Sequence, residues 1–115
     1  MPEHPILIAV KSQVKDVSLP FNMSVHVTIK PGSSGPFEAA FTECIKLTRQ
    51  EKGCIAYDLN RSYEEPTKYI NYERWASVAA LDAHLNAAHT VKLLTAIGPL
   101  VEGSPLIKVY AFAGD

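Results

Sequence analysis

Between Met23 and Lys30, apolar and polar side chains alternate without a break. A period of two over eight residues, rich in β-branched side chains, specifies a strand with one buried face. Pro31-Gly32-Ser33-Ser34-Gly35 stops it, and the period then changes. Phe37, Ala40, Phe41, Cys44, Ile45 and Thr48 recur at the three- and four-residue spacing of a single helical face. Pro36 suits the first turn of that helix, and Glu38 suits the positive end of its dipole. Arg49 and Lys52 complement the carboxyl end, and Gly53 is a stop.

The rest of the chain repeats the theme. Cys54–Ser62 reads as a second strand, with Ile55, Tyr57 and Leu59 on one face and Asp58 and Asn60 on the other. Tyr63-Glu64-Glu65-Pro66-Thr67 is a turn, and Lys68–Trp75 is a third, aromatic-rich strand. A short link between two such strands makes an antiparallel hairpin. Ser77 caps a helix running to about Ala88, with Val78, Leu81 and Leu85 inward. A further helical stretch from His89 to Val101 bends near Gly98-Pro99. Gly103-Ser104-Pro105 closes it, and Leu106–Phe112 is the last strand. The order strand, helix, strand, strand, helix, strand predicts an α+β fold: a ferredoxin-like four-stranded antiparallel sheet with helices on one face. The third and fourth strands carry large apolar groups on both sides, so the bare face needs a second sheet. A homodimer supplies one.

Residues 1–22 form an extension before a domain spanning 23–115. Ile6–Val10 is an apolar run, read as an extra strand or an ordered arm. It is too short, and its start too acidic at Glu3, for a signal peptide. With 47% hydrophobic and 20% charged residues the 115-residue chain is globular rather than disordered. A net charge of −1 gives no basic footprint for nucleic acid. No apolar run is long enough for a membrane span. Cys44 and Cys54 are too few to staple a secreted domain, so they read as reduced thiols in a cytoplasmic protein.

No metal-binding, phosphate-cradling, dinucleotide or nucleophile-elbow motif is present, so the expectation is no cofactor and no metal. His84 and His89, five residues apart, would lie about 140° apart around a continuous helix, poorly placed to share an ion. Asn71 and Trp75 project to the same side of the third strand, roughly 13 Å apart. They could flank a planar ligand; equally, Trp75 could be core and Asn71 a polar residue satisfied at an edge. His84 could pack or line a pocket. His89, at a helix start, could cap the helix or serve as a neutral base. His26 faces solvent or a dimer contact. Neither cysteine has a partner base.

Lys30-Pro31-Gly32, Lys52-Gly53-Cys54-Ile55-Ala56-Tyr57-Asp58-Leu59, Tyr72-Glu73-Arg74-Trp75-Ala76-Ser77, Ala80-Leu81-Asp82-Ala83-His84-Leu85 and Ala88-His89 follow one another in an order that resembles the antibiotic biosynthesis monooxygenase family. The resemblance covers residues 24–112. It implies a dimeric α/β barrel and a cofactor-independent monooxygenase that oxidises a small aromatic, anthrone- or quinol-like substrate with O2. It also implies site roles: Asn71, Trp75 and His89 catalytic, and Tyr57, Leu81 and His84 substrate-binding. Leu81 stands where such oxygenases can carry a tyrosine. Haem-degrading relatives use an asparagine on the first strand, where this chain has Val25 or His26. Isomerases of small phosphorylated sugars and non-catalytic ligand-binding barrels are the other readings the family allows.

Overall fold

A computed structural model describes residues 3–114; Met1, Pro2 and Asp115, at the outer ends of the extension and the domain, lie outside the described residues. The elements run α1 (Pro5–Lys11), β1 (Phe21–Ile29), α2 (Ser34–Thr48), β2 (Cys54–Arg61), β3 (Lys68–Trp75), α3 (Val78–Asn86), α4 (Ala88–Ile97), a single 3-10 turn (Gly98–Leu100) and β4 (Val101–Tyr110). The four strands form one antiparallel sheet in the order β2-β3-β1-β4. This is the ferredoxin-like α+β arrangement. No helix among the described residues is long and apolar enough to cross a membrane.

The alternation in β1 does what it must. Met23 is buried against the helices, with Val25 and Val27 beside it in the inner layer, while His26 and Thr28 face outward. Their partners on β3 follow the same pleat: Val25 sits opposite Asn71, and Met23 opposite Glu73. Phe37, Phe41, Cys44 and Thr48 form the buried stripe of α2, and Phe37 packs its ring on Phe41 and Tyr69 at 5.1 and 4.7 Å between centroids. Burying side chains of this size stabilises the fold by roughly 1.5–3 kcal/mol each.

Three local expectations are corrected. Ile6–Val10 is not a strand: it lies in a packed helix, α1. His4 caps that helix, its Nδ1 accepting from the Ile6 amide at 3.1 Å, and Pro5 occupies the first turn. Leu7 and Val10, three apart, are buried, so a short apolar run took helical rather than strand period. Ile55 does not share the Tyr57 face. A register shift between Cys54 and Ala56 turns it outward, 51% exposed. Finally, Gly103-Ser104-Pro105 belongs to β4 rather than to a loop. Gly103 takes a positive φ of 68° where the pairing with β1 shifts register, and Pro105 is tolerated because β4 is an edge strand.

The outer face of the sheet has no helix over it. Ile70 and Tyr72 on β3 and Leu106 and Tyr110 on β4 are all more than a third exposed there, flanking Ser24 and His26 of β1.

Gly53 fixes how closely the turn into β2 approaches α3. A Cβ at this position would stand 2.3 Å from the Ala80 Cβ. Gly53→Ala should therefore destabilise by about 1–3 kcal/mol. The same substitution in an Ala80→Gly background should cost less. A double-mutant cycle by thermal denaturation checks this, and additive losses would refute the contact.

Candidate active site

β3 presents Tyr69, Asn71, Glu73 and Trp75 to the helices, at every second position. Asn71 and Glu73 are each only 5% exposed and Trp75 is 0% exposed. The Trp75 indole Nε1 donates to Glu73 Oε1 at 2.9 Å, and the Asn71 amide Nδ2 donates to Glu73 Oε2 at 3.0 Å. Burial pushes the Glu73 carboxyl up to about 7, with the two donors pulling the other way. Asn71 has thus committed its nitrogen, and its Oδ1 is buried with no partner among the described residues. An acceptor left this way is costly unless something donates to it.

A second group of polar side chains meets one turn away. Glu51 lies in the turn between α2 and β2, and its Oε2 is 2.7 Å from both His84 Nδ1 and His89 Nε2. The geometry contradicts the helical-wheel separation of the two histidines. Ala87 is extended, with ψ of 144°, so α3 and α4 are separate helices and the two rings swing together. His84 packs in the angle between two aromatic rings: its ring centroid is 4.7 Å from Trp75, tilted, and 5.4 Å from Tyr57, edge-on. Burial lowers its proton affinity, partly offset by Glu51, so the imidazole is neutral near pH 7. With Nδ1 donating to Glu51, Nε2 carries the free lone pair.

These three side chains are the one set among the described residues placed to hold a metal ion, their ligand atoms lying within 4.8 Å of one another. Around a tetrahedral ion with bonds near 2.0–2.1 Å, ligand atoms stand about 3.3 Å apart. The 2.7 Å separations here are hydrogen-bond lengths, with both imidazoles meeting the Glu51 Oε2.

Between this triad and β3 lies a cavity of about 90 Å³. Tyr57, Asn71, Glu73 and His84 form its polar wall, and Leu81, Phe41, Leu93 and Ile97 are among its apolar lining. Burial and the Glu73 charge push the Tyr57 hydroxyl well above the usual phenol range, so it stays neutral. A larger furrow of about 520 Å³ lies on the outer face around His26, Asn60 and Lys68, in the uncovered part of the sheet and apart from Glu73 and Glu51.

Of the residues singled out from sequence, Tyr57, Asn71, Leu81 and His84 meet at the cavity. Trp75 lies beneath, its N–H given to Glu73 rather than to the open space. His89 stands one layer back, touching the cavity only through Glu51 and His84. Two residues escaped sequence reading: Glu73 and Glu51. Glu73 had a signal, since it sits midway between Asn71 and Trp75 and must share their face. Glu51, in a turn, had none. Cys44 and Cys54 are poor nucleophiles, because burial raises both thiols, Cys54 to about 11.

The raised carboxyl has a cost that depends on pH. A group bound more tightly to its proton when folded adds nothing below its unfolded value, here 4.5, and loses stability as pH rises through about 7. The shift corresponds to about 3 kcal/mol. Glu73→Gln should therefore gain stability relative to wild type between pH 5 and pH 8. Urea unfolding of both proteins at the two pH values measures the difference. No pH dependence of that difference would contradict the assigned shift.

Comparison with known proteins gives the family and the fold. Residues 20–94 match the antibiotic biosynthesis monooxygenase family. Rv0793 of Mycobacterium tuberculosis, which carries the provisional name of a monooxygenase, is 29% identical over 82 residues, 71% of this chain and 80% of that protein. Its solved structure superposes with a TM-score of 0.76 at 26% identity, covering 84% of this chain and 97% of that one. A Caulobacter crescentus CB15 protein, provisionally described as an antibiotic biosynthesis monooxygenase, gives a TM-score of 0.78 at 26% identity, covering 85% and 93%. PA3566 from Pseudomonas aeruginosa gives 0.76 at 26% identity, covering 84% and 98%. The chain belongs to the antibiotic biosynthesis monooxygenase family.

Proposed function

We propose that the protein is a cofactor-independent monooxygenase acting on a small hydroxylated aromatic ring of the quinol or catechol type. The observation that carries this reading is the unpartnered Asn71 Oδ1 in the same apolar cavity as a neutral, carboxylate-oriented His84. One group accepts a hydrogen bond from a substrate hydroxyl; the other accepts a proton. A cavity of about 90 Å³ is smaller than one of about 150 Å³ that holds benzene, so even a single hydroxylated ring requires the lining to give, and a three-ring anthrone requires far more.

The chemistry balances without a reductant. A substrate hydroxyl gives its proton to His84 Nε2, and Glu51 stabilises the imidazolium that forms. The quinolate has carbanion character at a ring carbon and passes one electron to O2. The ring radical and superoxide combine, forming a C–O bond, and the peroxide takes the proton back from His84. The O–O bond then breaks as the same carbon loses its hydrogen. Hydroxide and proton leave as water, and a carbonyl remains. Hydroquinone plus O2 gives hydroxybenzoquinone plus water, all four electrons coming from the substrate. The apolar lining keeps bulk water from the anion. Glu73 is a positioning residue: ionised, it accepts the Asn71 amide nitrogen and so turns Oδ1 toward the substrate.

Oxygen uptake with catechols and hydroquinones, with mass spectrometry of the product under ¹⁸O2, tests the reading. One labelled oxygen per product supports it; uptake without incorporation defeats it. His84→Gln should lower kcat/KM about 10²–10⁴-fold while remaining folded. Because the active form has Glu73 ionised, kcat/KM should rise with pH through about 7, and Glu73→Gln should flatten that rise.

The assembly belongs to the same proposal. Ile70, Tyr72, Leu106 and Tyr110 are the centre of a homodimer in which two sheets face each other. Sedimentation should give twice the 12.6 kDa chain mass, and Ile70→Asp should shift it toward one. A compact monomer at micromolar concentration refutes the dimer.

A further inference from the structure

The cavity runs across the sheet, from Tyr57 and Leu59 on β2, past Asn71 and Glu73 on β3 and Val25 and Val27 on β1, to Val101 and Pro105 on β4. At the β4 side its wall includes one residue from outside the sheet and the main helices: Ile6 of α1. This helix packs on α3 and β4. It precedes residue 20, where the family match begins.

The segment carrying Ile6 is fastened at several points. Leu7 and Val10 are buried in the core. Gln13 reaches the β4 edge, its Oε1 accepting from the Val109 amide at 3.3 Å and its Nε2 donating to the Ile107 carbonyl at 3.4 Å. The Val17 carbonyl accepts from the Val78 amide at the start of α3, at 3.0 Å. A side chain held on so fixed a support is a rigid wall rather than a loose cover.

We propose that α1 closes the β4 end of the substrate cavity and that Ile6 sets the size of the ring it admits, accepting single rings and excluding fused bicyclic ones. The inference rests on this cavity being the substrate site, the reading given above. With about 90 Å³ available, one ring already requires the lining to give, and a second ring requires a wall to recede. Replacing Ile6 by alanine removes Cγ1, Cγ2 and Cδ1 from that wall, nearly the bulk a fused ring adds. Alanine is also a strong helix former, so α1 keeps its backbone.

Calorimetric titration under argon with catechol and with naphthalene-2,3-diol measures binding without turnover. Wild type should prefer catechol. Ile6→Ala should narrow that preference about tenfold, the scale on which small changes in an apolar pocket discriminate ligands, with catechol itself changing less. Ile6→Phe, which thickens the wall, should weaken catechol by a similar factor. Ile8→Ala is the control, since Ile8 is 52% exposed on the same helix. It should change neither ligand. An unchanged preference in Ile6→Ala, or the same shift in Ile8→Ala, overturns the proposal. If the preference narrows as expected but no diol consumes oxygen in air, the wall stands and the oxygenase assignment falls.

Discussion

The interaction on which the site depends is the carboxylate of Glu73, buried in the sheet and held by two donors from its own strand. A carboxylate in this position has lost its water and must be compensated from within the protein. The strand geometry offers the means: Asn71 and Trp75 are two residues away on either side, on the same face, and each contributes one N–H. Those bonds fix the indole and orient the amide. The indole in turn is the surface against which the His84 ring packs, at 4.7 Å and a tilt of 37°, so Glu73 helps to position the imidazole proposed as the base. The cost of the buried charge is thus linked to the arrangement of the whole polar wall.

The fold was legible because its signals are local and redundant. The unbroken alternation in β1, the Phe37-to-Thr48 stripe of α2 and the aromatic β3 each specify an element alone, and their order leaves one common topology. The failures have separate physical causes. The run from Ile6 to Val10 is too short for periodicity to decide, and a histidine cap with a proline in the first turn settled it as helix. Ile55 followed the strand pattern until a bulge, a feature of pairing with β3, turned it over. Gly103 and Pro105 carry loop chemistry but tolerate an irregular edge strand.

The site was legible only in part, for a different reason. Side chains on one element can be related by period, so Asn71 and Trp75 were found together, and Glu73 could have been. His84 and His89 were separated by assuming a continuous helix, whereas one extended residue, Ala87, brings them onto the same oxygen. Glu51 comes from a turn 33 residues before His84, and no spacing rule connects them. Polar clusters assembled across elements are tertiary facts.

The two carboxylates do not act independently. Glu73 bonds Trp75 and Glu51 bonds His84, and the charge of Glu51 adds to the forces raising the Glu73 carboxyl. In the proposed reaction His84 takes a proton, and the new imidazolium would offset Glu51 and add a positive charge near Glu73. Both effects lower the proton affinity of Glu73 at that moment. A carboxyl poised near 7 would then be held ionised, and the Asn71 amide would keep its nitrogen toward Glu73 and its oxygen toward the cavity. On the proposed mechanism, accepting a proton at His84 reinforces the arrangement that orients Asn71. The coupling requires both carboxylates close to one imidazole, and the break between α3 and α4 is what brings that imidazole and His89 together onto Glu51.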